Sequence, residues 1–290
     1  MVARPETMQT ARIIIVDTND GAFINAAIAS ALRQTLPSEV VVVDNASCDG
    51  SPEWIEKIPG VRVIRRGAND GFGAAVNTGA VGASTSYLAF LNPDAEASPQ
   101  WLETMTTWMD RNDIDVACSY VGAGDGYYFT RGRWVWWLGG STDERAPDAS
   151  GDVQQTDFVN GCAMVIRTAL FHELGGFDEG FFLYSDDVDL SLRAVAKGRR
   201  IGVCPQVLVR HDRHGSSTKA LGDRKWTHAF SSRGRVLAKH CPSWIRPFAL
   251  LAQAFVVPIR FAGGIRAAAP LVRSVFTGYA SARRERSQHP

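Results

Sequence analysis

The 290-residue sequence is short of several things, and each shortage narrows what it can do. Cysteine is sparse: Cys48, Cys118, Cys162, Cys204 and Cys241 are an odd number, far apart, with no CxxC pair. That excludes a ready zinc site or disulfide framework and fits a reducing cytosol. A long apolar run is missing from the C-terminal third, where the longest uncharged span, Pro247 to Ile259, has 13 residues. A membrane-spanning helix needs roughly 20. No basic-then-apolar leader opens the chain; residues 1–10 are polar and read as a flexible terminus. There is no internal repeat. With 45% apolar and 21% charged residues, disorder is a poor description.

Acid is what the C-terminal third lacks most. Residues 1–196 carry 13 Lys/Arg against 27 Asp/Glu, whereas residues 197–290 carry 18 against 3. Such a split turns the basic third toward something anionic: phospholipid, nucleic acid or a diphosphate. No nucleic-acid recognition motif accompanies it, so nucleic acid is set aside.

What is present begins with apolar β-branched runs. Ile13–Val16 and Val40–Val43 read as strands buried on both faces, and Val61–Ile64 and Tyr87–Leu91 as a third and a fourth strand. Helices are expected between them over Ile24–Leu36, Ser51–Ile58 (with Pro52 at the first helical position) and Gly73–Ala83. This alternation predicts an α/β fold with a mostly parallel sheet flanked by helices. Trp101–Arg111 reads as a further helix, Phe158–Ile166 and Ile201–Val209 as strands, and Val188–Lys197 as the helix between them. Residues 118–156 read as a long irregular segment holding Tyr127, Tyr128, Phe129, Trp134, Trp136 and Trp137. That aromatic group suits a satellite core, a platform for a sugar ring or a lipid contact.

In open α/β sheets ligands bind at the carboxyl ends of the strands. Three polar clusters stand there: Asp17-Thr18-Asn19-Asp20, Asp44-Asn45-Ala46-Ser47 and Asn92-Pro93-Asp94. Asn69-Asp70-Gly71-Phe72-Gly73 contains a G-x-G but no third glycine and follows the third strand, so a dinucleotide-binding loop is the weaker reading. Asn92-Pro93-Asp94 serves as a turn or, through its hard oxygen, as a ligand for magnesium or manganese. Asp186-Asp187-Val188-Asp189 places three carboxylates within four residues of an aromatic and aliphatic segment. Such a cluster caps a helix, binds a cation or supplies a proton acceptor.

The ordered set of these motifs resembles glycosyltransferase family 2, whose fold is called GT-A. The likeness covers roughly residues 11–220. It is carried by Val43-Asp44-Asn45-x-Ser47-x-Asp49-Gly50-Ser51, Asn69-x-Gly71-Phe72-Gly73-x-Ala75-x-Asn77-x-Gly79 and Phe90-Leu91-Asn92-Pro93-Asp94. Asn160-Gly161-Cys162-Ala163-Met164, Gly176-Phe177-Asp178-Glu179-x-Phe181-Phe182, Tyr184-x-Asp186-Asp187-x-Asp189-Leu190-x-x-Arg193 and His211-x-x-x-Gly215-Ser216 complete it. It looks most like the rhamnosyltransferase-type branch, which decorates cell-wall or polysaccharide precursors.

The resemblance implies a metal-dependent, inverting enzyme. Its donor would be a nucleoside-diphosphate sugar, dTDP- or UDP-linked, with dTDP-rhamnose ranked first. Its acceptor would be a saccharide or a lipid-linked saccharide. Asp44 would read the base imide, with Asn19, Asn69, Gly71, Asn77, Asn92 and Asp94 along the donor. Asp94 and His211 would hold Mg2+ or Mn2+. Asp187 would be the general base, with Asn160, Gly161, Tyr184, Asp186 and Trp136 on the acceptor side. Asn92 stands where many members have Asp, Asp186 replaces the usual Glu, and Asp17-Thr18-Asn19 replaces Thr-Tyr-Asn. A sugar nucleotidyltransferase is the runner-up; it would need a basic loop after the first strand, where this chain has Asp17–Gly21. A catalytically silent sugar-binding protein is the third reading.

The expected organisation is a donor half at 11–117, an acceptor and catalytic half at 118–240, and an amphipathic helical extension at 241–290. Arginines flank the apolar stretches of that extension, which fits helices lying on an anionic membrane surface, at the inner face of the plasma membrane. The competing expectation packs those helices on the catalytic domain or across a homodimer.

Overall fold

A computed structural model describes residues 9–124, 126–127, 131–138, 140–144, 156–211, 224–260 and 264–288. Strands β1 (Ala11–Asp17), β2 (Ser38–Asp44), β3 (Val61–Arg65) and β4 (Tyr87–Phe90) pair in parallel in the order β3-β2-β1-β4. Because side chains alternate along a strand, the β-branched runs feed two cores. Ile13, Ile15, Val40 and Val42 pack with α1 (Ile24–Leu32), α2 (Ser51–Ile55) and α4 (Trp101–Arg111). Ile14, Val16, Val41 and Val43 pack with α3 (Phe72–Ala80), α5 (Thr168–Glu173) and α6 (Asp186–Ala196). Each fully buried Ile or Val contributes roughly 1.5–3 kcal/mol. A run apolar at every position therefore ends up with helices on both faces. Helices α1, α2 and α3 stop earlier than expected, at Leu32, Ile55 and Ala80.

The second half of the sheet departs from the sequence reading. β6 (Val116–Ala123) is a central strand, not the start of an irregular segment; Val116 to Val121 are all buried. The expected strand 158–166 is two short ones, β10 (Phe158–Val159) and β11 (Val165–Arg167), split by a 3-10 turn over Gly161–Ala163. The turn is capped by Asn160, whose Oδ1 accepts from the Cys162 N–H at 2.7 Å. β11 runs antiparallel between β4 and β6, and β12 (Ile201–His211) lies parallel to β6. The short edge strand β5 (Ala95–Ala97) pairs antiparallel with β12, and β7 (Gly126–Tyr127) pairs with β6. A small sheet, β10-β8-β9, uses β8 (Arg131–Val135) and β9 (Gly140–Glu144). One central sheet thus runs through both expected halves of the chain.

The C-terminal helices are α7 (Arg224–His240), α8 (Arg246–Arg260) and α9 (Gly264–Gln288). They share a core of Phe230, Leu237, Ile245, Ala249, Val257, Leu271 and Val275, so this packed unit starts at Arg224, upstream of the expected boundary at 241. α7 and α9 cross closely because neither contact residue has a side chain. A Cβ on Gly234 would stand 1.9 Å from the Val275 carbonyl oxygen, and one on Gly278 2.0 Å from that of Ser231.

Candidate active site

The site is built from backbone turns that leave β1, β2, β3 and β4. Asn19 sits at φ 61°, its N–H donating to Ser47 Oγ (3.0 Å) and its Oδ1 accepting from the Cys48 N–H (2.7 Å). The buried Asp44 carboxylate accepts the Ser47 N–H through Oδ1 at 2.7 Å. Asn45 then bridges to the next turn, donating to Asn69 Oδ1 at 2.8 Å, and that same oxygen accepts the Gly71 N–H at 3.1 Å. Gly71 is required: at φ 101° a Cβ would lie 2.4 Å from the Phe182 carbonyl oxygen.

Acids gather here without cationic relief. Among the described residues, Asp17, Asp20, Asp44 and Asp49 have no Lys, Arg or His within ion-pair distance. Asp17 accepts from Ser51 Oγ (2.6 Å) and the Asp20 N–H (3.0 Å), yet burial keeps its carboxyl above the usual range. Burial likewise pushes Asp20 up to about 7, and the charges of Asp17, Asp94 and Asp49 add to it. Asp49 goes the other way: burial opposes its charge, but hydrogen bonds from Ser51 and Gly21 lower its pKa.

Antiparallel pairing of β5 with β12 sets His211 opposite Ala95 and so beside Asp94. His211 Nε2 lies 3.1 Å from Asp94 Oδ1 and 3.3 Å from Asn92 Nδ2, with both ionisable side chains nearly shielded from solvent. Among the described residues no group of three or more His, Cys, Asp or Glu could hold a metal ion. One carboxylate oxygen and one imidazole nitrogen nonetheless fit a divalent cation that takes its remaining ligands from diphosphate and water. Gly215 and Ser216, expected to follow His211, lie outside the described residues.

A short backbone path joins this pair to the acid cluster of α6. The Asn92 N–H donates to the Cys162 carbonyl (2.9 Å), and in the same turn the Gly161 N–H donates to Asp187 Oδ2 (3.0 Å). Asp187 Oδ1 accepts the N–H of Val188 at 2.8 Å. These bonds favour the anion, but burial outweighs them and the pKa of Asp187 is raised. Asp186 is buried more deeply; its Oδ2 has no hydrogen-bond partner among the described residues. Burial raises its pKa and the adjacent Asp187 raises it further. Both carboxyls stand in the first turn of α6, where the helix dipole favours negative charge, but neither is the cap: that position is Ser185, whose side chain makes no capping bond. The loop before them is strained: Tyr184 and Ser185 are both left-handed (φ 65° and 61°), at about 1 kcal/mol each. Tyr184 is exposed there.

Asp189 belongs to a different device. It is fully buried and bonded to Arg193 Nε (2.7 Å), Lys239 Nζ (2.6 Å) and His240 Nε2 (2.7 Å). Burial opposes its charge, but these three partners hold its carboxyl far below the usual range. Asp178 similarly binds Lys239 and Arg235, and Arg235 also meets Glu285 at 2.7 Å. Sequence reasoning missed these α7 cations because their partners stand about 50 residues upstream.

Two residues expected at the donor and the acceptor have partners within the protein. Asn77 is engaged in a clamp: Nδ2 donates to the Phe177 carbonyl and to Glu179 Oε1 (2.9 Å each), while Oδ1 accepts the Phe177 N–H (2.8 Å). Trp136, expected toward the acceptor, is half-buried where the C-terminal core meets the Trp134–Phe158–Phe181 cluster, its ring 6.1 Å from that of Trp134. Tyr128 and Phe129 lie outside the described residues.

A sequence profile described as Glycosyl transferase family 2 matches residues 12–174, more than half of the chain. The chain belongs to glycosyl transferase family 2. Its fold is GT-A, and it is a glycosyltransferase. It is 24% identical over 276 residues to N-acetylglucosaminyl-diphospho-decaprenol L-rhamnosyltransferase of Mycobacterium tuberculosis, covering 81% of this chain and 86% of that one. Pre-mycofactocin glycosyltransferase of the same species is 28% identical over 265 residues, covering 88% of this chain and 55% of that protein. Among solved structures, a mannosyltransferase from Pyrobaculum calidifontis in complex with GDP-Man and Mn2+ superposes with a TM-score of 0.61 at 19% identity, covering 97% and 76% of the two chains. S. aureus TarS 1–349 superposes at 0.58 and 18% identity, covering 96% and 92%.

Proposed function

We propose that this glycosyltransferase moves a sugar, rhamnose from dTDP-rhamnose in the first instance, to a saccharide or lipid-linked saccharide, inverting the anomeric centre. The observation that carries this reading is Asp187: a carboxylate of raised pKa, aimed by the Gly161 N–H and tied through one turn to the Asp94–His211 pair. A base of raised pKa takes a hydroxyl proton better than an ordinary carboxylate does. Asp187 would accept the proton of the acceptor hydroxyl as its oxygen forms the new glycosidic bond and the nucleoside diphosphate departs. Asp94 and His211 would hold Mg2+ or Mn2+, which when bound neutralises charge on the leaving diphosphate. Asp44 would accept a hydrogen bond from the base imide, and Asn19, Asn69 and Gly71 would shape that end of the crevice. The M. tuberculosis relative carries a lipid-linked acceptor in its name, which favours the same acceptor class here. A station at the inner face of the plasma membrane is part of the same proposal.

Isothermal titration with dTDP-, UDP- and GDP-sugars in the presence of Mg2+ or Mn2+ tests the donor. Binding of dTDP-rhamnose ahead of the others is expected, and binding of none would sink the donor assignment. Proton NMR of the product reads the anomeric configuration; retention would overturn the role of Asp187 as base.

A further inference from the structure

Helix α8 and the turn leading into it are apolar on two sides, and among the described residues only one of them is packed. Ile245, Ala249 and Val257 are buried in the core shared with α7 and α9. Trp244 in the turn before the helix, followed by Phe248, Leu251 and Phe255 on it at i+4, i+7 and i+11, forms a second stripe that is 62–68% exposed. The stripe continues onto the neighbouring 3-10 turn. Trp137 (52% exposed) meets the Trp244 ring edge-to-face at 6.2 Å, and Gln253 Nε2 holds the carbonyl of the exposed Leu138 at 2.9 Å. A contiguous exposed patch of this kind marks an interaction surface rather than a packing remnant.

Charge selects the partner. Residues 224–290 hold twelve Lys/Arg and a single acid, Glu285, which Arg235 already occupies. Arg246 and Arg260 bracket the stripe in sequence. A second copy of the chain would bring an equally basic segment against this one. An anionic bilayer supplies the opposite charge together with an apolar layer for the aromatic rings. No helix among the described residues is long and apolar enough to cross a membrane, and α8, at about 22 Å, is shorter than a bilayer core. It would lie in the interface plane.

We infer that the Trp244–Phe248–Leu251–Phe255 face of α8, with Trp137 and Leu138, is a docking surface for anionic phospholipid. The inference deepens the lipid-linked half of the proposed acceptor class and rests on that reading. It is nonetheless tested by a different measurement. Because α7 ties this helical unit to Asp178 and Asp189, docking would also fix the orientation of the catalytic crevice toward the bilayer.

The test is co-sedimentation of the full chain with phosphatidylglycerol-containing vesicles, against phosphatidylcholine vesicles, across a salt series. Wild type is expected to bind the anionic vesicles and to release with salt. Phe248→Glu/Phe255→Glu should lose roughly tenfold or more in vesicle affinity with unchanged melting temperature, since both side chains are already in water. The variant should also retain wild-type transfer to a short water-soluble acceptor. That second assay reports the proposed chemistry, so failure of the chemistry and failure of the docking surface are separable. Equal vesicle binding by wild type and variant overturns the proposal, as does no binding by wild type at low salt. A wild-type dimer that the variant converts to monomer, with no vesicle binding by either, would assign the face to a second copy instead.

Discussion

Two sets of aspartates stand a few residues apart and are treated in opposite ways. Asp189 and Asp178 are met by Arg193, Lys239, His240 and Arg235, and their carboxyls titrate below the ordinary range. Asp186 and Asp187 have no Lys, Arg or His within ion-pair distance among the described residues, and both titrate above it. A neutralised carboxylate contributes to assembly but is a poor proton acceptor. One held by backbone N–H groups alone costs stability and keeps its basicity. The α6 helix carries both kinds on one turn, the paired acid fastening it to α7 and one unpaired acid, Asp187, held by the Gly161 N–H.

The sharpest way to break that contrast is Asp187→Asn. It should lower transfer by about 10²–10⁴-fold while leaving donor binding by titration calorimetry nearly unchanged. Near-wild-type turnover would make Asp187 a capping residue and move the base to another group.

Asp189→Asn attacks the other set. Removing one partner of a buried ion cluster leaves Arg193 and His240 without their carboxylate and Lys239 with Asp178 alone, and about 3–5 kcal/mol of stability is expected to go. The sign in pH follows from the depressed carboxyl. Its contribution is present above the unfolded carboxylate range and is lost as pH falls toward the folded value. Wild type should therefore lose its advantage over the variant progressively in acid, as followed by circular dichroism melts from neutral pH downward.

Asp94→Ala should weaken donor affinity by about tenfold or more and remove the response to Mg2+ or Mn2+. His211→Ala should do the same without adding fully, because both would act on one ion. An Asp94→Ala enzyme with unchanged metal dependence would take Asp94 out of the site.

The smallest effect is expected from Asp186→Asn. Because its folded pKa is raised, Asp186 stabilises the fold only while protonated. Wild-type stability should decline as pH climbs from the ordinary carboxylate range toward neutrality, and the variant should flatten that slope. A steeper slope in the variant would show that the Asp186 carboxylate is stabilised, not strained.

Much of this was legible in the chain itself. Ile13–Val16 and Val40–Val43 announce doubly covered strands because every position is apolar, and polar residues follow wherever such a strand ends. Asp44, Asp94 and Asp187 could be named from local motifs. What lay beyond reach depended on distance along the chain. The family resemblance put Asp94 and His211 on one metal, but the contact itself needs β5 to lie antiparallel to β12, a pairing of residues more than 100 positions apart. That the 176–179 loop folds over Asn77 is likewise decided by residues about 100 positions away. Residues 118–156 looked irregular because the segment opens inside β6 and the hairpin after it mixes glycine, arginine and tryptophan without a clean period.

The tail divides along the same line. Its composition alone established a basic, acid-poor helical segment too short in any one stretch to cross a bilayer. Only packing decided that Ile245, Ala249 and Val257 turn inward while Trp244, Phe248, Leu251 and Phe255 remain in solvent. Hydrophobicity states how much surface a residue would bury, whereas the position of α7 and α9 determines which side of the helix has something to bury it against.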